Sequence, residues 1–191
     1  MLTIAIQAQE AKPRYSVFGG TPDERACNRI EYFDNQKKIV QQFAIDYGTP
    51  AWKKDYEDAS KFDAMTNGKI WRFGSNFWTR LESQIPLKIG GKSIPAGNYY
   101  LGLKRSQDGT QWSLVLIDPA KARAAGVHDA FMINKAPVEY EALMTVEKPT
   151  EMKDKLTIMM TAQKDNIKNV TLRISWGQLQ LSGSIEAVLE G

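Results

Sequence analysis

Much is scarce in this chain of 191 residues. It holds one cysteine, Cys27, and one histidine, His128. One thiol forms no internal disulfide and anchors no multi-cysteine zinc site. The neighbours of Cys27, Arg25-Ala26-Cys27-Asn28, are not those of a lipoprotein cleavage box, so a buried or inert thiol is expected. Any triad or metal site that needs histidine has to use His128, and no metal site and no cofactor is expected. No run approaches the roughly 20 apolar residues of a membrane span. Neither sign of charge dominates: 25 basic against 22 acidic residues leave a net +3. That gives no reason to expect nucleic acid, which needs a concentrated basic face. Phosphate-binding loops, dinucleotide fingerprints and G-x-S-x-G elbows are all missing.

What is present is an ordinary globular composition, with 42% hydrophobic and 25% charged residues, which excludes wholesale disorder. The start, Met1 to Ala8, is apolar and turns polar at Gln9-Glu10. Ile6-Gln7-Ala8 places a small residue before that switch, as at the end of a signal peptide. Residues 1–8 are therefore read as a signal-peptide remnant and 9–191 as a single domain of a periplasmic or secreted protein. The competing reading is a first β-strand.

The main periodic signal is two, not 3.6. Ile39 to Tyr47, Asn98 to Lys104, Leu156 to Thr161 and Val170 to Trp176 alternate, and Trp112 to Ile117 is apolar on both faces. Val138 to Val146 and Gln178 to Leu189 add further strands, and Gly90-Gly91 marks a hairpin turn. Many short strands with turn residues between them predict a mostly β protein. The expected form is an antiparallel two-sheet sandwich, jelly-roll or immunoglobulin-like, of eight or more strands. Asp118 to Gly126 predicts one short helix, capped by Asp118, with Pro119 at its first turn and Gly126 after its end. Tyr47 to Gly68 reads as a long loop with a helical turn or two. Its acidic residues Asp55, Glu57, Asp58 and Asp63 lack the spacing of a calcium loop.

Five segments together resemble a known family. They are Trp71-Arg72-Phe73-Gly74-Ser75-Asn76, Gly90-Gly91-Lys92 with Pro95-Ala96-Gly97-Asn98-Tyr99, a strand with Trp112, Glu147-Lys148-Pro149, and Trp176-Gly177. Over roughly residues 38 to 190 this is similar to the bacterial domain-of-unknown-function family number 2911. Phe77 stands where its members often carry an acidic residue, and 118–136 has no counterpart. The resemblance implies a secreted or periplasmic β-sandwich and brings no catalytic residues.

In Pro95 to Tyr99, the tyrosine can fold its hydroxyl back to a nearby backbone group, a structural role. Trp71 to Trp78 is the densest aromatic and polar cluster. Read as a strand, it sets Arg72, Asn76 and Trp78 on one face, and Trp52 and Tyr56 of the preceding loop fold over them. These five residues form the expected ligand site, with Arg72 as a fork of donors for an anionic or carbohydrate-like ligand. The plainer reading makes Trp71 core and pairs Arg72 with an acid of the long loop. His128 reads as solvent-facing. The expected function is a non-catalytic envelope module binding a small polar ligand, a glycan or a protein. A hydrolase-like enzyme using Arg72, His128 or loop carboxylates is one alternative, and a structural subunit of an envelope assembly is another.

Overall fold

A computed structural model describes residues 24–189. The proposed signal remnant, residues 1–8, lies outside them. The chain runs through β1 (Arg25–Phe33), β2 (Ile39–Gly48), a 3-10 turn (Lys54–Glu57), α1 (Ala59–Thr66), β3 (Ile70–Trp71) and β4 (Thr79–Ser83). It continues through β5 (Leu87–Ile89), β6 (Lys92–Ile94), β7 (Gly97–Arg105), β8 (Trp112–Ile117), α2 (Pro119–Ala124) and a 3-10 turn (Ala130–Lys135). It ends with β9 (Tyr140–Glu147), β10 (Lys153–Ala162), β11 (Asn169–Gly177) and β12 (Leu179–Ala187).

The protein is mostly β, and every strand pair is antiparallel. In place of two separate sheets there is one continuous open sheet, ordered β1-β2-β4-β7-β8-β9-β12-β11-β10. β9 makes the continuity. Tyr140–Met144 pair with β8, while Thr145–Glu147 pair with β12. The sheet curls, because Phe43, Leu81, Leu101 and Leu114 of its first half share one core with Leu156, Ile158, Leu172 and Leu181 of its second.

The edge strands β1 and β10 share no ladder. Side chains of the first half reach the main chain of β10 instead. Tyr47 Oη accepts from the Ile158 amide at 3.0 Å and donates to the Ile158 carbonyl at 3.4 Å. Asn28 Oδ1 accepts from the Met160 amide at 2.7 Å. These bonds satisfy main-chain groups that would otherwise be unpaired beside an apolar core.

Local chemistry accounts for the punctuation. Gly90 and Gly91, with φ of 56° and 80°, turn β5 into β6, as a two-residue hairpin with both central φ angles positive requires. Asp118 accepts from the amides of Ala120 at 2.7 Å and Lys121 at 3.0 Å, capping the expected helix α2. The 47–68 loop carries α1, capped in the same way by Asp58. Two of its other acids are paired, Asp55 with Lys61 within the loop and Asp63 with Arg105 of β7. One expectation is corrected. Cys27 is exposed, not buried, because β1 turns Arg25, Cys27 and Arg29 outward and Ala26, Asn28 and Ile30 toward the core.

Candidate functional site

The five residues expected to converge go to three places. Trp52 and Tyr56 belong to an aromatic box around Trp176. Ring centroids lie 5.0 Å from Trp176 to each of them, and 4.6 Å from Trp176 to Trp71, with those last two rings stacked. Trp176 is 6% exposed, and its Nε1 donates to the Pro50 carbonyl at 2.9 Å. Gly177 permits this packing. Its φ is 57°, and a Cβ there would stand 2.0 Å from the Trp52 ring. The box is part of the main core.

Trp71–Trp78 is not a continuous strand. The ladder ends at Trp71, and Phe73 and Asn76 take φ of 24° and 65°. The two-residue alternation therefore stops, and Trp78 parts from Arg72. Trp78 is buried against Tyr100, the rings 4.1 Å apart and nearly parallel. It joins a second apolar cluster with Ile117, Ala122, Val127 and Ile133, where residues of the 118–136 excursion pack on the outer side of the sheet. Arg72 lies 3.7 Å over the exposed ring of Phe131 and donates to the Asn76 carbonyl at 3.1 Å. Burial holds its guanidinium below the usual value, with Asp129 acting in the opposite direction. The acid beside Arg72 thus comes from the excursion, not the long loop. The structure brings Arg72 and Asn76 together, but joins neither to the box nor to Trp78.

A hollow that sequence reasoning missed lies on the outer face of the first half of the sheet. It encloses about 470 Å³ and is lined by Cys27, Asp46, Arg80, Glu82, Asn98 and Tyr100, among others. Strand register builds it. Cys27, Asp46, Arg80 and Tyr100 form one row across β1, β2, β4 and β7. Arg29, Ala44, Glu82 and Asn98 form the next. Pro119, at the start of α2, borders it.

The charges of this hollow are unequally used. Asp46 is held by Arg25, whose Nε donates to Oδ1 at 2.9 Å and which also donates to the Trp78 carbonyl at 3.1 Å. Arg80 and Glu82 are exposed, and their side chains form no hydrogen bond or ion pair with the described residues. The same is true of the Asn98 amide. Such groups can bind a polar ligand without first breaking an internal bond.

A second hollow, of about 540 Å³, lies on the outer face of the other half, lined by Glu147, Thr157, Arg173, Ser175 and Gln180 among others. Here the central charges bond each other. Glu147 accepts from Gln180 at 2.7 Å and from Arg173 at 3.3 Å. Hydrogen bonds from Ser182 and Gln180, with the charge of Arg173, hold the Glu147 carboxyl below the usual carboxylate range.

Elsewhere, His128 is exposed between α2 and the following 3-10 turn and makes no hydrogen bond or ion pair with the described residues. Exposed apolar side chains Phe33, Ile39 and Val40 gather at the turn of the β1–β2 hairpin. Among the described residues no cluster of three or more histidine, cysteine or acidic side chains could hold a metal, and no helix is long and apolar enough to cross a membrane. Comparison with curated proteins and with solved structures gave no match. A family model does match, over residues 33–185, a span that contains all five segments of the resemblance. The chain belongs to the protein family of unknown function DUF2911.

Proposed function

We propose that this chain is a non-catalytic binding module, exported from the cytoplasm, that takes a small polar ligand or glycan in the hollow around Arg80. One observation carries this. Arg80 and Glu82 stand two residues apart on one strand face, in a concavity, with neither side chain bonded to any described residue. A concave surface with a few aimed polar groups is the general form of a ligand site. The second hollow is less suited, because a ligand there competes with bonds Glu147 already makes. Export rests on the apolar start and the small residue before Gln9. The same outward-facing groups suit glycans or partners met in the envelope. The curled sheet serves here as the two layers of a sandwich, displaying the hollow on a rigid floor.

Cys27 makes the test direct, since the only thiol of the chain lines the hollow. The rate of Cys27 modification by a thiol reagent is measured with and without compounds from a panel of sugars, amino acids and small anions. A binding compound should slow it and raise the melting temperature, and Arg80→Ala should remove both effects while the free protein melts unchanged. If no compound protects Cys27, or Arg80→Ala leaves protection intact, the reading fails. Intact mass from the native host tests export, which an uncleaved cytoplasmic protein would contradict.

A further inference from the structure

The hollow around Arg80 does not end at Glu82. A second depression, of about 180 Å³, is lined by Arg29, Gln42 and Gln84 and shares both Ala44 and Glu82 with the first. The small side chain of Ala44, between Arg29 on β1 and Glu82 on β4, keeps the passage between them open. The two form one groove running along the strands. From the Arg80 row to the Gln84 row is four residues of β-strand, roughly 13 Å at ~3.3 Å per residue.

Three features select the occupant. The first is charge. Arg29 pairs with Glu31 and Asp46 with Arg25, which leaves Arg80 and Glu82 to cancel one another. A polyanion such as nucleic acid needs a basic excess, and the groove has none. The second is donor type. Asn98, Gln42 and Gln84 offer amides that donate and accept, Arg80 donates and Glu82 accepts, and none of these side chains bonds to a described residue. Hydroxyl groups match such a mixture because each also does both. The third is the floor. The floor of the groove is the face of β2, β4 and β7, each paired on both sides, so it presents side chains; the free edge of β1 lies in the plane of the sheet, not on this face. A peptide added as a strand needs a sheet edge. At one end Tyr100, held parallel to Trp78, presents a partly exposed ring suited to the apolar face of a sugar.

We infer that the groove binds a linear, uncharged oligosaccharide longer than a single sugar. This rests on the binding site proposed above and names its ligand class. The test titrates the full chain calorimetrically with cello-oligosaccharides and chito-oligosaccharides of one to five units. Affinity in one series should rise about tenfold or more from one unit to three and then level off. Ala44→Trp, which blocks the passage, should remove the rise. Gln42→Ala with Gln84→Ala should weaken the trisaccharide and leave the monosaccharide unchanged, and these changes, at a half-buried and an exposed position, keep the result readable if Ala44→Trp does not fold. Affinity that is flat with length, or insensitive to both variants, overturns the inference. So does protection of Cys27 by amino acids or phosphate but by no saccharide, although the binding site itself then stands. If nothing in either set protects Cys27, both fall.

Discussion

The aromatic box around Trp176 and the polar groove around Arg80 lie on opposite faces of the same curled sheet, and they use their side chains in opposite ways. In the box every ring packs on another ring, and the Trp176 N–H is bonded to the chain. In the groove the side chains of Arg80, Glu82 and Asn98 bond to none of the described residues. Density of aromatic residues in the sequence therefore located the core. The surface open to a ligand is marked instead by polar groups without internal partners. The box should carry stability and no binding, and the groove binding and little stability.

The largest expected effect lies in the box. Trp176→Ala removes a buried ring that contacts Trp52, Tyr56 and Trp71, and large-to-small changes of this kind cost about 3–5 kcal/mol. Against a total stability of roughly 5–15 kcal/mol, chemical denaturation should show a protein close to unfolding. An unchanged midpoint would dissolve the distinction between the two regions.

The entry to β7 comes next, because Tyr99 belongs both to the main core and to the lining of the hollow. Tyr99 Oη donates to the Pro95 carbonyl at 3.1 Å, the expected fold-back, and Tyr99 also lines the hollow. Gly97 has φ of 152°, a conformation open almost only to glycine. Gly97→Val should cost on the order of 1–3 kcal/mol through backbone strain, and Tyr99→Phe about 1 kcal/mol through the lost bond. Equal melting of wild type and both variants would show that the corner bears no load.

The sequence revealed the strands whose buried positions are apolar and concealed β1 and β4, whose inward faces include polar residues. β2, β7, β10 and β11 bury Phe43 and Ile45, Leu101 and Leu103, Leu156 and Ile158, Leu172 and Ile174 at every second position. β4 buries Thr79, Leu81 and Ser83, so two of its three inward residues are polar. Their hydroxyls bond to the carbonyls of Phe73 and Ile85, which no local pattern announces. β1 likewise points Asn28 toward β10, where it serves the Met160 amide. Arg80, Glu82, Cys27 and Arg29 stand on these two strands, so the groove was lost with them. The opposite error arose at Trp71–Trp78, where alternation continued in the sequence but left-handed residues at Phe73 and Asn76 end the strand. No sequence period encodes those two angles.

The second hollow sharpens the contrast through pH. The Glu147 carboxyl is held down by hydrogen bonds from Ser182 and Gln180 and by the charge of Arg173. A carboxyl lowered in the folded state adds stability that is full above its unfolded value and is lost as pH falls through the folded one. Stability should therefore decline on the acid side of the ordinary carboxylate range, and Glu147→Gln should flatten part of that decline. Melting temperatures between pH 2 and 7 would show it, and identical acid limbs for wild type and Glu147→Gln would refute the assignment.

The smallest change in stability belongs to Arg80, and it discriminates most. Arg80 is exposed, its strand partners Asp46 and Tyr100 have other contacts, and its guanidinium bonds to none of the described residues. Arg80→Ala removes no native bond and creates no cavity, so the free protein should melt within about 0.5 kcal/mol of wild type. Its neighbour supplies the control. Arg25 is bonded to Asp46 and to the Trp78 carbonyl, so Arg25→Ala strips a partly buried carboxylate of its cation. Arg25→Ala should therefore lower the melting temperature where Arg80→Ala does not. In ligand titration the order reverses: Arg80→Ala abolishes protection of Cys27, and any loss in Arg25→Ala is smaller. If Arg80→Ala destabilises the free protein as much as Arg25→Ala does, Arg80 is bound internally in solution, and the groove has no unspent cation to offer a ligand.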